Sequence, residues 1–238
     1  IHSYSLFLFQ NYESIPEQAA QTYADNTFSK MMLAKVYCVH MINALGYDLL
    51  FQDVDIVWYR NPVEYFTNDS NPYRDFDMYF QQDGSPSRRY APYSPNTGFY
   101  FVRNNLKTQY FFHSLLMQGN LITGSGSHQS ALNIVLQEHA SWRGLRVKVL
   151  NVETEMFPGG FHFHRRKDFM KDMIVGKVKP YIFHMSWTTN KENKRMFFEQ
   201  LGDWHVDDQC IGSTTSKILS DGRNNGSDLS SACCLAKP

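Results

Sequence analysis

The chain has 238 residues, 42% of them hydrophobic and 15% aromatic, and its 23 basic and 23 acidic side chains leave no formal net charge. That size suits one large domain with a real core, and the balanced charge gives neither a basic footprint for nucleic acid nor an acidic block of the disordered kind. No apolar stretch reaches the ~18–20 residues that a membrane span needs. The chain opens at Ile1 inside an apolar run, which reads as a fragment, so a signal peptide or membrane anchor would lie upstream of it.

In chain order, residues 1–10 read as a strand. A helix is predicted over 27–45, with Phe28, Met31, Met32, Lys35, Val36, Val39, Ile42 and Leu45 at helical spacing and Gly46 as its stop. Tyr47–Phe51 is a short apolar run, read as a buried strand. Strands follow at 75–80 and 97–103, then helices at about 105–119 and 128–139. Further strands are predicted at 146–152 and 181–187, and a last helix at about 190–201. Beyond Trp204 the chain turns to Gly, Ser, Asn and Asp, so 1–204 is expected to be the folded domain and 205–238 irregular. A helix feeding a short apolar strand marks an α/β layer. The expected fold is one α/β domain with a mostly parallel central sheet flanked by helices, and ligands sit at the carboxyl ends of such strands.

Asp53 and Asp55 stand at such an end, directly after Leu49, Leu50 and Phe51. Residues two apart in a strand share a face, so the two carboxylates are expected to aim together. Two unpaired carboxylates among apolar residues are costly, and a divalent cation removes that cost. Oxygen ligands suit Mg²⁺ or Mn²⁺, which fill the rest of their shell with phosphate oxygens and water. A bare Asp-x-Asp is more often a solvated turn. The apolar run before it and Ile56–Pro62 after it favour the cation.

"LLFQDVDIVWYRNP" resembles the Asp-x-Asp segment of nucleotide-sugar-dependent glycosyltransferases of the GT-A fold, and more narrowly the nucleotide-diphospho-sugar transferase domain of plant and algal xylosyl- and arabinosyltransferases. Four further segments match in order: "SPNTGFYFVRNN", "SHQSALN", "NVETEMFPGGFHF" and "YIFHMSWTTNKENK". The resemblance spans roughly residues 15–204. It implies a metal-dependent transferase that moves a pentose such as xylose or arabinose, or a hexose, from a nucleoside-diphosphate donor, by analogy UDP, to a glycan or glycoprotein acceptor with retention of configuration. It also implies Asp53, Asp55 and His184 as metal ligands, with Asp53 reaching the metal or the ribose.

Lys35 sits on the apolar stripe of its helix, where it either snorkels or meets a buried anion; related transferases place a cation there to touch the donor sugar. Lys191, and less so Lys194, could hold the diphosphate at the next helix start, against the plainer reading of a solvated face. Asn96 could bond a sugar hydroxyl, Gly98 could admit a close ligand, and Gln129 would aim at the anomeric carbon; local capping and a simple bulge are the rival readings. Asp83 could bind donor or acceptor hydroxyls, or could serve its own Asp-Gly turn. The family's usual helix start reads Asp-Gln and this chain has His128-Gln129, which places His128 where an aspartate would contact sugar hydroxyls. The first nucleotide-binding strand is either "YSLFLF" or lies upstream of Ile1. No carboxylate stands at the Gln129 position, which favours a front-face route over a covalent one.

His162 and His164 alternate along "FHFH" and would share a face of a strand. No third metal ligand is spaced nearby, so the loop is expected to frame the acceptor, with the basic run 165–167 solvated. Cys38 reads as an inert thiol on a helix face. Cys210 with Cys233 or Cys234, and the sequons at Asn68 and Asn225, point to an oxidising secretory compartment, and the expected location is the Golgi or another secretory-pathway lumen, as part of a type II membrane protein. A degenerate, inactive transferase fold that binds glycans or partners is the competing reading. A nucleotidyltransferase is disfavoured, since the first 16 residues hold no glycine.

Overall fold

A computed structural model describes residues 20–84, 88–151 and 155–206. Helix α1 (Asn26–Ala44) begins at Asp25, whose carboxylate accepts hydrogen bonds from the N–H groups of Phe28, Gln21 and Thr22 at 2.8, 2.7 and 2.9 Å. Those N–H groups, Thr22 and Phe28 foremost, hold its carboxyl below the usual carboxylate range. Met32, Val36 and Val39 form the buried stripe of α1, and the chain leaves the helix through Gly46 at φ +95°. Cys38 is half-buried with a free thiol, and burial pushes that thiol's pKa up, as an inert cysteine requires.

The chain then forms β1 (Leu49–Gln52), β2 (Ile56–Trp58), a short helix α2 (Val63–Thr67), β3 (Met78–Gln82) and β4 (Pro95–Val102). Three helices follow, α3 (Leu106–Met117), α4 (Gly119–Ser125) and α5 (His128–Arg143), then β5 (Val147–Val149), α6 (Gly160–Arg165), α7 (Lys167–Ile174) and β6 (Ile182–His184). A second compact unit begins at Asn190. Within it α8 (Lys191–Leu201) is capped by the Asn190 side chain and carries an Arg195–Glu199 ion pair at 2.9 Å.

Four strands form one sheet in the order β1-β4-β3-β5, and β2 pairs with β6 in a separate ribbon. β4 is central, and all eight of its residues are buried. Its alternate side chains serve two cores. Tyr100 and Val102 join Met78 and Phe80 against α1, α3, α4 and α5; Phe99 and Phe101 join Tyr79 on the other face against Phe66, Phe157 and Ile182. A register shift between Phe80 and Gln81 takes the pairing from Phe80↔Tyr100 to Gln81↔Asn96, so residues 97–99 of β4 bulge out of the β3 ladder.

The expected α/β class holds, but the sheet is not mostly parallel. Among the described residues only β3 and β5 run parallel; β4 is antiparallel to both β1 and β3, and β2 to β6. The reason lies in the connection from β3 to β4: its described residues hold only the single turn Arg88–Tyr90 and no crossover helix of the kind that parallel neighbours need. The alternation of His162 and His164 is also misread as a strand. "GFHFHR" forms α6, in which residues two apart point to different sides. The predicted helix at 105–119 ends at Met117, and α4 follows as a separate helix. The predicted strand 1–10, Cys210, Cys233, Cys234, Asn225 and all but the first two residues of the expected irregular segment lie outside the described residues.

Phe66 is fully buried, stacked on Phe101 with ring centroids 4.6 Å apart, and it anchors the second core to β4. Phe66→Ala is expected to lower the unfolding free energy by about 3–5 kcal/mol in urea titration, with an unchanged m-value.

Candidate metal and sugar-nucleotide site

Asp53 and Asp55 flank a bend between β1 and β2 rather than sitting on a strand. They still converge, because Val54 between them turns fully into solvent. The backbone N–H of Asp53 donates to the carbonyl of Gly98 at 2.7 Å, which extends the β1–β4 ladder by one step and fixes where the bend begins. On the other side the carbonyl of Asp55 accepts from the N–H of Met185 at 3.0 Å, which brings the end of β6 alongside. One ligand atom from each of Asp53, Asp55 and His184 then lies within 4.8 Å of the others. His184 Nε2 is 3.4 Å from Asp55 Oδ1, and its ring is 3% exposed.

The orientation of that imidazole is set by Gln81, which is 1% exposed. The Gln81 amide donates to the carbonyls of Phe157 and Pro158 at 2.8 and 3.0 Å, so its oxygen can only face His184, 2.7 Å from Nδ1. An oxygen acceptor there places the ring proton on Nδ1 and turns the Nε2 lone pair toward the aspartates. Two carboxylates and one imidazole lone pair form a donor set that would suit Mn²⁺ or Mg²⁺, with Asp53, Asp55 and His184 as the residues that would hold it.

Gly98 makes the approach possible. A Cβ there would lie 2.5 Å from His184 Cε1 and 2.8 Å from Asp53 Oδ2. The glycine thus opens space for the two candidate ligands themselves. Lys35, on α1, reaches Asp53 Oδ1 at 2.5 Å, so it meets an anion rather than snorkelling. Tyr100 lies beneath; burial first, and then the Asp53 charge, hold its phenol well above the usual range and keep it neutral.

The other predicted residues fall into two groups. Asn96 and Asp83 join each other, with the Asn96 amide donating to Asp83 Oδ1 at 2.9 Å while Asn96 Oδ1 accepts from the N–H of Gly98 at 2.7 Å. Both are buried. Gln129, on the first turn of α5, accepts from the N–H and hydroxyl of Thr97, each at 3.3 Å. With its oxygen so held, the amide N–H groups are what Gln129 can offer a ligand. His128 is buried at the N-terminus of α5, with Nδ1 3.0 Å from Met32 Sδ and no hydrogen-bond partner on Nε2 among the described residues. Burial, and secondarily the Lys35 charge, lower its pKa to about 3. Lys191 stands at the exposed first position of α8 and Lys194 is half-buried one turn on; both belong to the second unit. His162 and His164 part ways. His162 is buried 3.5 Å from Glu155, with its pKa lowered chiefly by burial, whereas His164 Nε2 faces the Thr188 hydroxyl at 3.4 Å.

Sequence reasoning missed Gln81 and Thr97. The signal for Gln81 was present: a polar residue continuing the apolar run Met78–Phe80 at a position that proves buried.

The family model for nucleotide-diphospho-sugar transferases matches residues 4–198. A UDP-galactose:fucoside alpha-3-galactosyltransferase of Dictyostelium discoideum is 26% identical over 90% of this chain and 34% of its own length. A UDP-D-xylose:L-fucose alpha-1,3-D-xylosyltransferase 3 of Arabidopsis thaliana is 24% identical over 75% of this chain and 49% of its own length. A further Arabidopsis thaliana protein, a UDP-D-xylose:L-fucose alpha-1,3-D-xylosyltransferase, is 21% identical over 86% of this chain and 57% of its own length. The chain therefore spans only about a third to a little over half of the length of these curated relatives.

His128 gives the fold a specific acid sensitivity. The unfolded chain takes up a proton near pH 6.5 that folded His128 refuses until about pH 3, so stability falls as pH drops through that window. The loss from this residue between pH 7 and 5 is about 2 kcal/mol. In urea titrations at the two pH values, His128→Gln is expected to shrink the drop seen in the parent protein by about that amount.

Proposed function

The chain belongs to the nucleotide-diphospho-sugar transferase family, and from that premise we propose that it transfers a sugar from a UDP-sugar, with Mn²⁺ or Mg²⁺, to the fucoside terminus of a glycan or glycoprotein in the secretory pathway. The observation that carries the reading is the buried Gln81–His184 pair, which turns the imidazole Nε2 toward two carboxylates from the far end of the sequence. The donor and acceptor classes come from relatives whose names specify UDP-galactose or UDP-xylose with a fucoside or L-fucose. Among the described residues no helix is long and apolar enough to cross a membrane.

Asp53, Asp55 and His184 would hold the cation, which supplies neutralising charge for the diphosphate as it departs. Lys35 holds the Asp53 carboxylate in place, and it adds a positive charge on the donor side of the cluster. Gln129, with its oxygen fixed by Thr97, presents its N–H donors toward the sugar. Asn96 and Asp83 lock each other and leave Asp83 able to accept from an incoming hydroxyl. Retention follows from a front-face displacement. The bond from C1 to the diphosphate oxygen breaks, the acceptor oxygen forms the new C1 bond on the same face, and its proton passes to the departing diphosphate. Asp83 is not poised as a nucleophile, since its two oxygens are engaged by Asn96 and by the indole of Trp187. Intact-mass analysis during turnover is expected to show no glycosyl adduct on the protein; a covalent adduct would overturn the front-face route.

Calorimetric titration of UDP is the direct test. Binding is expected to require Mn²⁺ and to weaken about tenfold or more in Asp55→Asn. An inactive glycan-binding fold predicts no Mn²⁺-dependent affinity in the parent protein. Gln81→Leu is expected to lower Mn²⁺ affinity by roughly 10–100-fold, read from the free-ion signal in electron paramagnetic resonance, although the Gln81 side chain itself gives the ion no ligand atom.

A further inference from the structure

We propose that the indole of Trp187 is the platform on which the acceptor pyranose, an α-L-fucoside, stacks, with Asp83 at its edge taking the reacting hydroxyl. The proposal rests on the transferase reading above and adds the acceptor subsite to it.

Trp187 follows β6 by three residues and stands at φ +63°, the only aromatic residue with a positive φ among those described. A bulky side chain in the left-handed region is strained relative to ordinary backbone, and such strain persists only where surrounding contacts over-determine it. Those contacts are present. The indole N–H donates to Asp83 Oδ2 at 3.3 Å, the Phe161 ring meets it edge-on at 6.0 Å and 84°, and the His164 ring lies near-parallel at 6.5 Å and 24°. Two glycines make room for the arrangement. A Cβ on Gly160 would fall 2.1 Å from the Ser186 carbonyl oxygen and 2.8 Å from Trp187 Cβ, and one on Gly84 would fall 2.4 Å from Phe161 Cβ. For all this packing Trp187 remains 39% exposed. A side chain so firmly held yet left in solvent is shaped for contact with something else.

Its position says what. From the indole a hydrogen-bonded track runs through Asp83 to Asn96 and on to the N–H of Gly98, which abuts His184 and Asp53. Lys35, His128 and Gln129 reach the site from α1 and α5, on one face of the sheet. Trp187 comes from beyond β6, which packs on the other. If the first group attends the donor, Trp187 faces the acceptor. An α-L-fucopyranose has C–H groups at C3, C4 and C5 and the C6 methyl clustered on one side, an apolar, slightly positive patch that matches the negative face of an indole. The equatorial 3-hydroxyl projects from the rim of that stack, and the rim at the N–H edge of Trp187 is where Asp83 sits.

The test measures transfer from UDP-xylose and UDP-galactose to methyl α-L-fucoside, with UDP–Mn²⁺ affinity measured separately by calorimetry. Trp187→Gly relieves the backbone at φ +63°, so it removes the platform without straining the chain; Trp187→Phe keeps an aromatic face and loses only the N–H. The expected results are a rise in fucoside KM of about tenfold or more for Trp187→Gly and of about threefold for Trp187→Phe, with UDP–Mn²⁺ affinity within about twofold of the parent in both. An unchanged fucoside KM in Trp187→Gly overturns the platform while leaving the transferase reading intact. So does a matching loss of UDP–Mn²⁺ affinity, which would assign Trp187 to the donor. A parent protein that binds UDP with Mn²⁺ yet transfers nothing to methyl α-L-fucoside overturns the fucoside as acceptor, and this subsite for it.

Discussion

A missing carbon governs the centre of this molecule. β4 is the central strand of the main sheet, buried along its whole length, with β1 and β3 on its two edges. Asp53 and His184 can meet only because Gly98 on that strand has no side chain. Glycine within a strand costs roughly 0.5–1 kcal/mol. Here it is accompanied by a bulge against β3, and together they bend the strand where three separate segments converge.

Around that point the polar groups are arranged unevenly, and the unevenness has a chemical sense. Gln81 is buried and fully engaged, with two carbonyls satisfied and one imidazole oriented, so it contributes order at small cost. Asp53 has Lys35 as its counter-charge, while Tyr100 below it stays protonated and adds no second negative charge. His128 is the exception. It stands buried at the first turn of α5, and it stays neutral with one ring nitrogen unpartnered among the described residues. Neutral imidazole beside Lys35 adds no repulsion to the site, whereas protonated imidazole would.

Much of this was legible in the sequence, though not always for the right reason. The periodicity of Phe28–Leu45 and the stop at Gly46 locate α1 to within a residue at each end, and the family resemblance holds over most of the chain. Asp53, Asp55 and His184 do come together, but through a bend that throws Val54 outward, not through the two-residue repeat of a strand. "FHFH" shows the limit of that same repeat. Four residues of alternation cannot separate a strand from a single turn of helix, and here packing decided for the helix. Strand direction was hidden because it depends on which strands become neighbours, which local pattern does not encode. Gln81 was hidden because a glutamine after an apolar run reads as the solvated end of a strand until its three partners are placed. The conformation of Trp187 was hidden because no local rule predicts tryptophan at positive φ.

The candidate metal ligands have a further consequence through their order along the chain. The two aspartates are early and the histidine is late, with nearly the whole α/β unit strung between them. A cation joining them would therefore act as a long-range clasp, restricting the unfolded ensemble far more than a bridge within one loop would. During synthesis, which proceeds from the N-terminus, the aspartates emerge and wait through strands β2 to β5 and helices α2 to α7 before β6 delivers their partner. Completion of the site is thus a late event in the life of the nascent chain, and metal capture would report that the unit has closed.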